Sequence, residues 1–378
     1  MVGAIGSAAV RPGMSGPRRG VAGGKRAGRA RERFVGEGER SRRGLASRAP
    51  GFSPGASGAS GPPSGSQGAT RHGWVWRGHR CEYVTAGCGA TSIVLVHGFG
   101  ASSGQWRDNV PAVAAAGYKV YAVDLLGFGG SAKPDLAAEG GYSTALWAAQ
   151  LQDFVQEFVG SNGQAVLVGN SIGSIASLMA VASASTVSTG PSSIRGLCLV
   201  NCAIGMNSKA VVDEQPIFAP LFWLIDFIFR TSLGRRLFER TRDRENLRKA
   251  LRGVYASNQA RVDDALVNQF AEPALQDGAY EAFAGILTGA PGPRPERLAL
   301  DVDSAFPLLL LWGEQDRVTP LSGPVGRFFA ARADDPRATG TSMVRLPGLG
   351  HCPMDEDPDV FNPPLLAWLA HQFPSASA

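Results

Sequence analysis

The chain has 378 residues, 44% of them hydrophobic, so a large core can be buried. The longest apolar run, 217–229, is cut by Pro220 and Asp226 and falls short of the ~18 residues that read as a membrane span. The net charge of +5 does not mark a nucleic-acid binder: residues 1–70 hold twelve Lys and Arg against three Glu, a net of +9, while the rest carries 25 basic against 29 acidic residues, a net of −4.

Residues 1–70 are rich in Arg, Gly, Ala, Ser and Pro and show no apolar periodicity, so they are expected to be a disordered segment outside the fold. An Arg- and Ser-containing, acid-poor N-terminus has the composition of an organellar transit peptide, with the chloroplast the first reading and the mitochondrion the second. A linker without an address has the same composition. Five cysteines without a C-x-x-C pair fit reduced or buried thiols rather than a disulfide framework or a zinc site, and no metal or cofactor is expected.

Order is expected from about Trp74, with a hairpin over 74–87 turning at Gly78. "TSIVLVHGFG" reads as a buried strand ending in glycines, and "GQWRDNVPAVAAAG" as a helix with an irregular start at Pro111. "YKVYAVDLLGFGGS" is a second strand with a glycine-rich exit. Apolar residues at helical spacing (Leu146, Leu151, Phe154, Val155, Phe158) make 142–160 a helix. A strand over 165–168, a helix over 171–184 and the strand "GLCLVNC" follow. The C-terminal part adds "FPLLLLWG", "SGPVGRFFAARA", "SMVRLPG" and a terminal helix from Pro358. Alternating strands and helices imply a mostly parallel sheet covered on both faces. Residues 206–303 break the alternation and read as helical throughout, a cap inserted between two parts of one core, 71–205 and 304–378.

Gly169-x-Ser171-x-Gly173 follows a buried strand directly. Such spacing suits a plain turn, or a strained strand-to-helix turn that exposes a nucleophilic serine. A serine needs a base, and the base a carboxylate, in the chain order serine, acid, histidine. His351 is the one histidine between Ser171 and the terminal helix; His72, His79, His97 and His371 fit worse. Asp316, in the loop after "LLLLWG", is the expected acid, with Glu314 the alternative. The oxyanion would be met by the backbone N–H groups of Ile172, after the nucleophile, and Phe99, in "HGFG". His97 is expected to pin that loop.

The chain from about Trp74 to Trp368 resembles the α/β-hydrolase superfamily and, more narrowly, the plastid hydrolases that include chlorophyll dephytylases and pheophytinases. The stretches that carry the likeness are "IVLVHGFGASSGQWRDNVP", "KVYAVDLLGFGGS", "VLVGNSIGS", "PLLLLWGEQDRV", "GHCPMDEDPDV" and, in the cap, "VYASNQARVDDALV". The resemblance implies an α/β-hydrolase fold with a helical cap, Ser171 as nucleophile, Asp316 as acid, His351 as base, and hydrolysis of the phytyl ester of chlorophyll or pheophytin. Ser174 stands where that family usually has glycine.

Other readings remain open. A generic lipase or esterase, or a carbon–carbon bond hydrolase of the same fold, would use the same three residues, whereas a serine at 171 disfavours dehalogenase and epoxide-hydrolase chemistry. A glycine turn with Asp124 beyond it imitates a dinucleotide-binding unit of an oxidoreductase, but the third glycine of that fingerprint falls on Ser103. A hydrolase-fold receptor is a further alternative. In the cap, Phe218, Phe222, Trp223, Phe227 and Phe229 are expected to line a slot for a long apolar chain, to pack against the core, or to touch a membrane surface. Glycines at 98–104 and 127–130 are expected to leave the mouth of the site wide.

Overall fold

The run Ile93-Val94-Leu95-Val96 is apolar on both of its faces, and in the computed structural model of this protein it lies at the centre of an eight-stranded sheet with every residue buried. The structure describes residues 68–187, 193–212 and 216–375. Most of the N-terminal segment read as a tail, residues 1–67, lies outside them.

The strands are β1 (Thr70–Trp76), β2 (His79–Ala86), β3 (Thr91–Val96), β4 (Lys119–Val123), β5 (Gln164–Asn170), β6 (Ile194–Val200), β7 (Leu308–Gly313) and β8 (Thr341–Leu346). Their order in the sheet is β1-β2-β4-β3-β5-β6-β7-β8. From β4 to β8 all neighbours are parallel; β2 joins β4 antiparallel, and β1 pairs with β2 as a hairpin. The hairpin turns at Arg77 and Gly78, both at positive φ (48° and 80°), as a two-residue turn requires. Regular structure starts at Thr70, four residues ahead of the expected start at Trp74, because β1 pairs along its whole length from Thr70↔Thr85 to Trp76↔His79.

The helices are α1 (Asn109–Ala115), α2 (Thr144–Phe158), α3 (Ile172–Val187), α4 (Ala219–Phe229), α5 (Ser232–Thr241), α6 (Arg244–Val254), α7 (Asp264–Ala271), α8 (Ala279–Thr288), α9 (Pro295–Leu300), α10 (Pro324–Asp334), α11 (Pro353–Glu356) and α12 (Pro358–Gln372). The expected single helix over "GQWRDNVPAVAAAG" is two pieces, a 3-10 turn at Ser103–Trp106 and then α1, with Pro111 in the first turn of α1, where no N–H is needed.

Period-2 alternation divides the strand side chains between two cores. Val94, Val96, Leu167, Leu197, Leu199 and Leu310 face Trp147, Leu151 and Phe154 of α2 and Ile175 and Leu178 of α3. Ile93, Leu95, Val166, Val168, Val200 and Leu309 face Val110 and Val113 of α1 and Phe361, Leu365 and Leu369 of α12. Each such side chain contributes roughly 1.5–3 kcal/mol by leaving water, which explains near-continuous apolar strands where a half-exposed sheet would alternate. Helices α4 to α9 all fall between β6 and β7.

Candidate active site

Ser171 follows β5 and precedes α3 with φ of 55°, one of three non-glycine residues at positive φ among those described. An L-residue held there costs roughly 1–2 kcal/mol, and the surroundings enforce it. A Cβ on Gly169 would lie 2.4 Å from the Gly173 carbonyl oxygen, and one on Gly173 would lie 2.5 Å from the carbonyl oxygens of both Val96 and His97. Both glycines of the motif are therefore close-approach positions, packing the strand, the turn and the helix onto β3. Ser174 fits this interface because its hydroxyl donates to Gly169 O (2.5 Å) and accepts from Val200 N (3.2 Å), linking β5 to β6.

Ser171, Asp316 and His351 are brought together from loops after β5, β7 and β8, at the carboxyl edge of the sheet where open α/β folds bind ligands. His351 Nε2 lies 3.0 Å from Ser171 Oγ, and Nδ1 lies 2.9 Å from Asp316 Oδ2. With the carboxylate ionised, Nδ1 carries the ring proton and Nε2 presents its lone pair to the serine hydroxyl. Asp316 is buried and also accepts from Val318 N (2.7 Å), Thr319 N (3.0 Å), Thr319 Oγ1 (2.6 Å) and Asn201 Nδ2 (2.8 Å). Burial opposes its charge, but the facing His351 and the Thr319 donors hold its pKa below the ordinary carboxylate value. Glu314, the alternative acid, points to solvent.

Asn201 and Asn170 are parts of the site that the sequence reading did not single out. Asn201 sits just past β6 at φ 45°, and its amide joins three loops: Nδ2 donates to Asp316 Oδ2 and Gly350 O, and Oδ1 accepts from Gly313 N. Asn170 Nδ2 holds His351 O at 3.0 Å. An asparagine closing an apolar strand was the available signal, since Asn is among the few residues that tolerate positive φ.

The "HGFG" turn lies against the serine. A Cβ at Gly98 would stand 3.3 Å from Ser171 Cβ, and the turn is closed by Ala101 N donating to Gly98 O. Phe99 is within this turn; Ile172 opens α3, so its amide has no acceptor within the helix. His97 is fully buried, with Nδ1 2.7 Å from Gly98 O and Nε2 accepting from Leu125 N at 3.1 Å. Those partners require the neutral ring protonated at Nδ1. Burial lowers its pKa from the usual imidazole value, against the pull of Asp124. Stability is therefore expected to fall as pH drops below ~6.5, by up to about 1.4 kcal/mol per pH unit, because the unfolded chain takes up a proton that folded His97 refuses. Urea unfolding of the wild type and of His97→Gln on both sides of that pH checks it: the variant should lose this part of the slope.

Asp124, the acid of the dinucleotide reading, is buried and already occupied. Its carboxylate accepts from Ser103 N, Gly130 N and Arg71. It ties the two glycine loops together and offers nothing to a ribose.

The block around His351 fastens the cap. His351 N donates to Val254 O at 2.9 Å. Buried Glu356 accepts from Gly350 N, Ser257 N and Ser257 Oγ. Buried Asp355 accepts from Arg107, Tyr255 OH and Arg261. These two carboxylates thus join the histidine loop to the start and end of the cap's 255–261 link.

A cavity of about 70 Å³ lies beside the "HGFG" turn, lined by Gly100, Phe128, Phe238, Phe270, Phe283 and Ile286 among others. Phe99 packs on Phe128 (5.8 Å) and Phe283 (5.6 Å) of its wall. Gly127 and Gly129 line this cavity, whose volume is below the ~300–1,000 Å³ of ligand pockets. Phe222 and Trp223 are not among its lining residues. Phe222 is buried between α4 and its neighbours, while Trp223 is 70% exposed and stacks on Phe227. α4 is apolar nearly all round, so its sequence does not determine which side faces inward.

The comparisons with known proteins fit this geometry. The model of the alpha/beta hydrolase family matches residues 93–363. The 2-hydroxy-6-oxo-6-(2'-aminophenyl)hexa-2,4-dienoic acid hydrolase of Metapseudomonas resinovorans is 28% identical over 304 residues, covering 78% of this chain and 89% of that protein. Chloroplastic pheophytinase of Arabidopsis thaliana is 25% identical over 331 residues, covering 77% of this chain and 64% of that protein. A serine hydrolase involved in carbazole degradation superimposes with a TM-score of 0.59 at 24% identity, over 80% of this chain and 99% of its own, a likeness of fold. The family match runs from β3 into α12 and takes in every loop that meets at Ser171, so the chain belongs to the alpha/beta hydrolase family and is a hydrolase.

Proposed function

We propose that the protein is a serine hydrolase of a carboxylic ester carrying a long apolar alcohol, with the phytyl ester of chlorophyll or pheophytin as substrate. Ser171 attacks the carbonyl while His351 takes its proton; Asp316 holds the imidazole in the required tautomer and faces the imidazolium that forms. Phe99 N and Ile172 N receive the oxyanion. His351 then protonates the leaving alcohol, and water repeats the sequence on the acyl-enzyme. The unbroken Ser171–His351–Asp316 hydrogen-bond relay carries the serine-hydrolase part of this reading.

The lining of the cavity supports an uncharged, apolar substrate. Among its described lining residues the one cation is Lys133, and its ammonium hydrogens go to Gly129 O, Ser131 O and Gln276 Oε1. Burial lowers its pKa to about 8, against the pull of Asp124 and Glu82. A carbon–carbon bond hydrolase is the second reading, favoured by the Metapseudomonas relative, which is named for an acid substrate. A carboxylate at this cavity would find no free cationic partner among its described lining residues. A chloroplast location is part of the proposal; the chloroplastic relative and the composition of residues 1–70 support it, and a fluorescent fusion of those residues should accumulate in plastids.

Incubation of the purified protein with chlorophyll a, pheophytin a, short-chain nitrophenyl esters and a vinylogous diketone tests the assignment by chromatography. The expected products are phytol with chlorophyllide or pheophorbide. Turnover of the short esters with both pigments intact replaces the reading with a generic esterase, and diketone cleavage replaces it with carbon–carbon hydrolysis.

A further inference from the structure

The corner of the cap formed by α4 and α5 exposes an apolar face. Ile217 is 82% exposed, Trp223 70% and Phe227 57%, and Leu221, Leu224 and Leu233 stand open beside them in the chain. Singly exposed apolar residues need no explanation, but six within seventeen residues of one helical corner form a patch. The two helices meet at 92°, and no single described helix is long and apolar enough to cross a membrane. This geometry suits a corner that rests in a surface rather than spanning it.

Charge selects the occupant. Residues 216–252 hold nine Arg and Lys against four Asp and Glu, a net of +5, within a portion, 71–378, whose net is −4. Arg230, Arg236 and Arg240 are exposed and make no ion pair with any described residue. On α5, Leu233, Arg236 and Arg240 fall on one face by their spacing, so apolar and cationic groups share a side. Exposed aromatic and aliphatic side chains beside unpaired arginines match a bilayer surface with anionic headgroups, where the former enter the acyl boundary and the latter meet the phosphates.

We propose that the α4–α5 corner docks this protein on an anionic lipid bilayer. Phe229 of α4 packs on Phe283 at 5.7 Å, and Phe283 packs in turn on Phe99 at 5.6 Å, so docking sets one wall of the cavity at the membrane, where an apolar ester is dissolved. The surface stands independently of the substrate: lipid binding is read without turnover.

Trp223 supplies the readout. Of the seven tryptophans the other six are buried, so solvent-exposed emission comes from Trp223. The full chain is mixed with vesicles of brominated phosphatidylcholine, alone or with brominated phosphatidylglycerol. Emission should shift to the blue and be quenched on the anionic vesicles, weaken with added salt, and lose this response in Trp223→Phe. Ile217→Ser with Phe227→Ser should weaken the Trp223 response by about tenfold or more in lipid concentration. Vesicle binding without quenching of Trp223 assigns lipid attachment to the basic residues 1–70 and overturns the proposal. So does equal quenching by neutral vesicles, or a blue shift that rises with protein concentration in the absence of lipid, which would mark a second copy of the chain on this face.

Discussion

Replacing Ser171 with alanine should lower turnover by about 10⁴-fold or more and leave the protein folded. The residue is only 7% exposed, and its side chain's partner across the site is the His351 ring. Ser171→Gly sharpens the test. The residue sits at φ 55°, which glycine adopts without penalty, so that variant should be as inactive as the alanine one yet more stable than it, by roughly 1 kcal/mol. Steady-state rates on a long-chain ester and thermal unfolding of both variants measure this. An active, folded Ser171→Ala removes the nucleophile assignment.

Asp316→Asn should cost about as much, on the order of 10⁴-fold in kcat, with little change in KM. The amide keeps the shape but removes the acceptor charge facing Nδ1 and presents NH₂ where four protein donors already converge. The histidine then turns its proton toward Ser171. Glu314→Gln, two residues away and in solvent, should change the rate less than about twofold. If the two effects were reversed, Glu314 would be the acid in the working enzyme. The sign of the pH effect on stability follows from the lowered pKa. Charged Asp316 stabilises the fold above the ordinary carboxylate value of ~3.9, and this contribution is lost as pH falls through its lower folded value. The asparagine variant should therefore show a shallower loss of stability in that acid range.

Short-range chemistry made much of the fold legible in the chain. Strands read as unbroken apolar runs because both faces of a parallel sheet are covered, and this held for β3, β5, β6 and β7. Glycines at 169 and 173 marked a turn after a buried strand; the structure adds why no side chain fits there, since a Cβ on Gly169 meets the Gly173 backbone and one on Gly173 meets Val96 and His97. The order Ser171, Asp316, His351 was readable because each follows a strand, and all parallel strands end at one edge.

Three things were decided only by tertiary packing. Asn201 looked like the end of a strand, since its three partners, Asp316, Gly350 and Gly313, are more than a hundred residues away in sequence. Asp355 and Glu356 were visible only as part of the stretch "GHCPMDEDPDV"; both are buried because cap residues 255–261 bring donors to them. For Trp223 the sequence left a slot, core packing and a membrane surface open, and the side chain faces solvent. Periodicity reveals which side of a helix is buried only when one side is polar, and α4 has almost no polar side. The sequence by itself determined which elements form and which edge of the sheet holds the chemistry, because those follow from local sterics and the period of burial. Which polar groups are matched across loops, and which way an all-apolar helix turns, depended on partners distant in the chain, and only the folded structure brings those partners together.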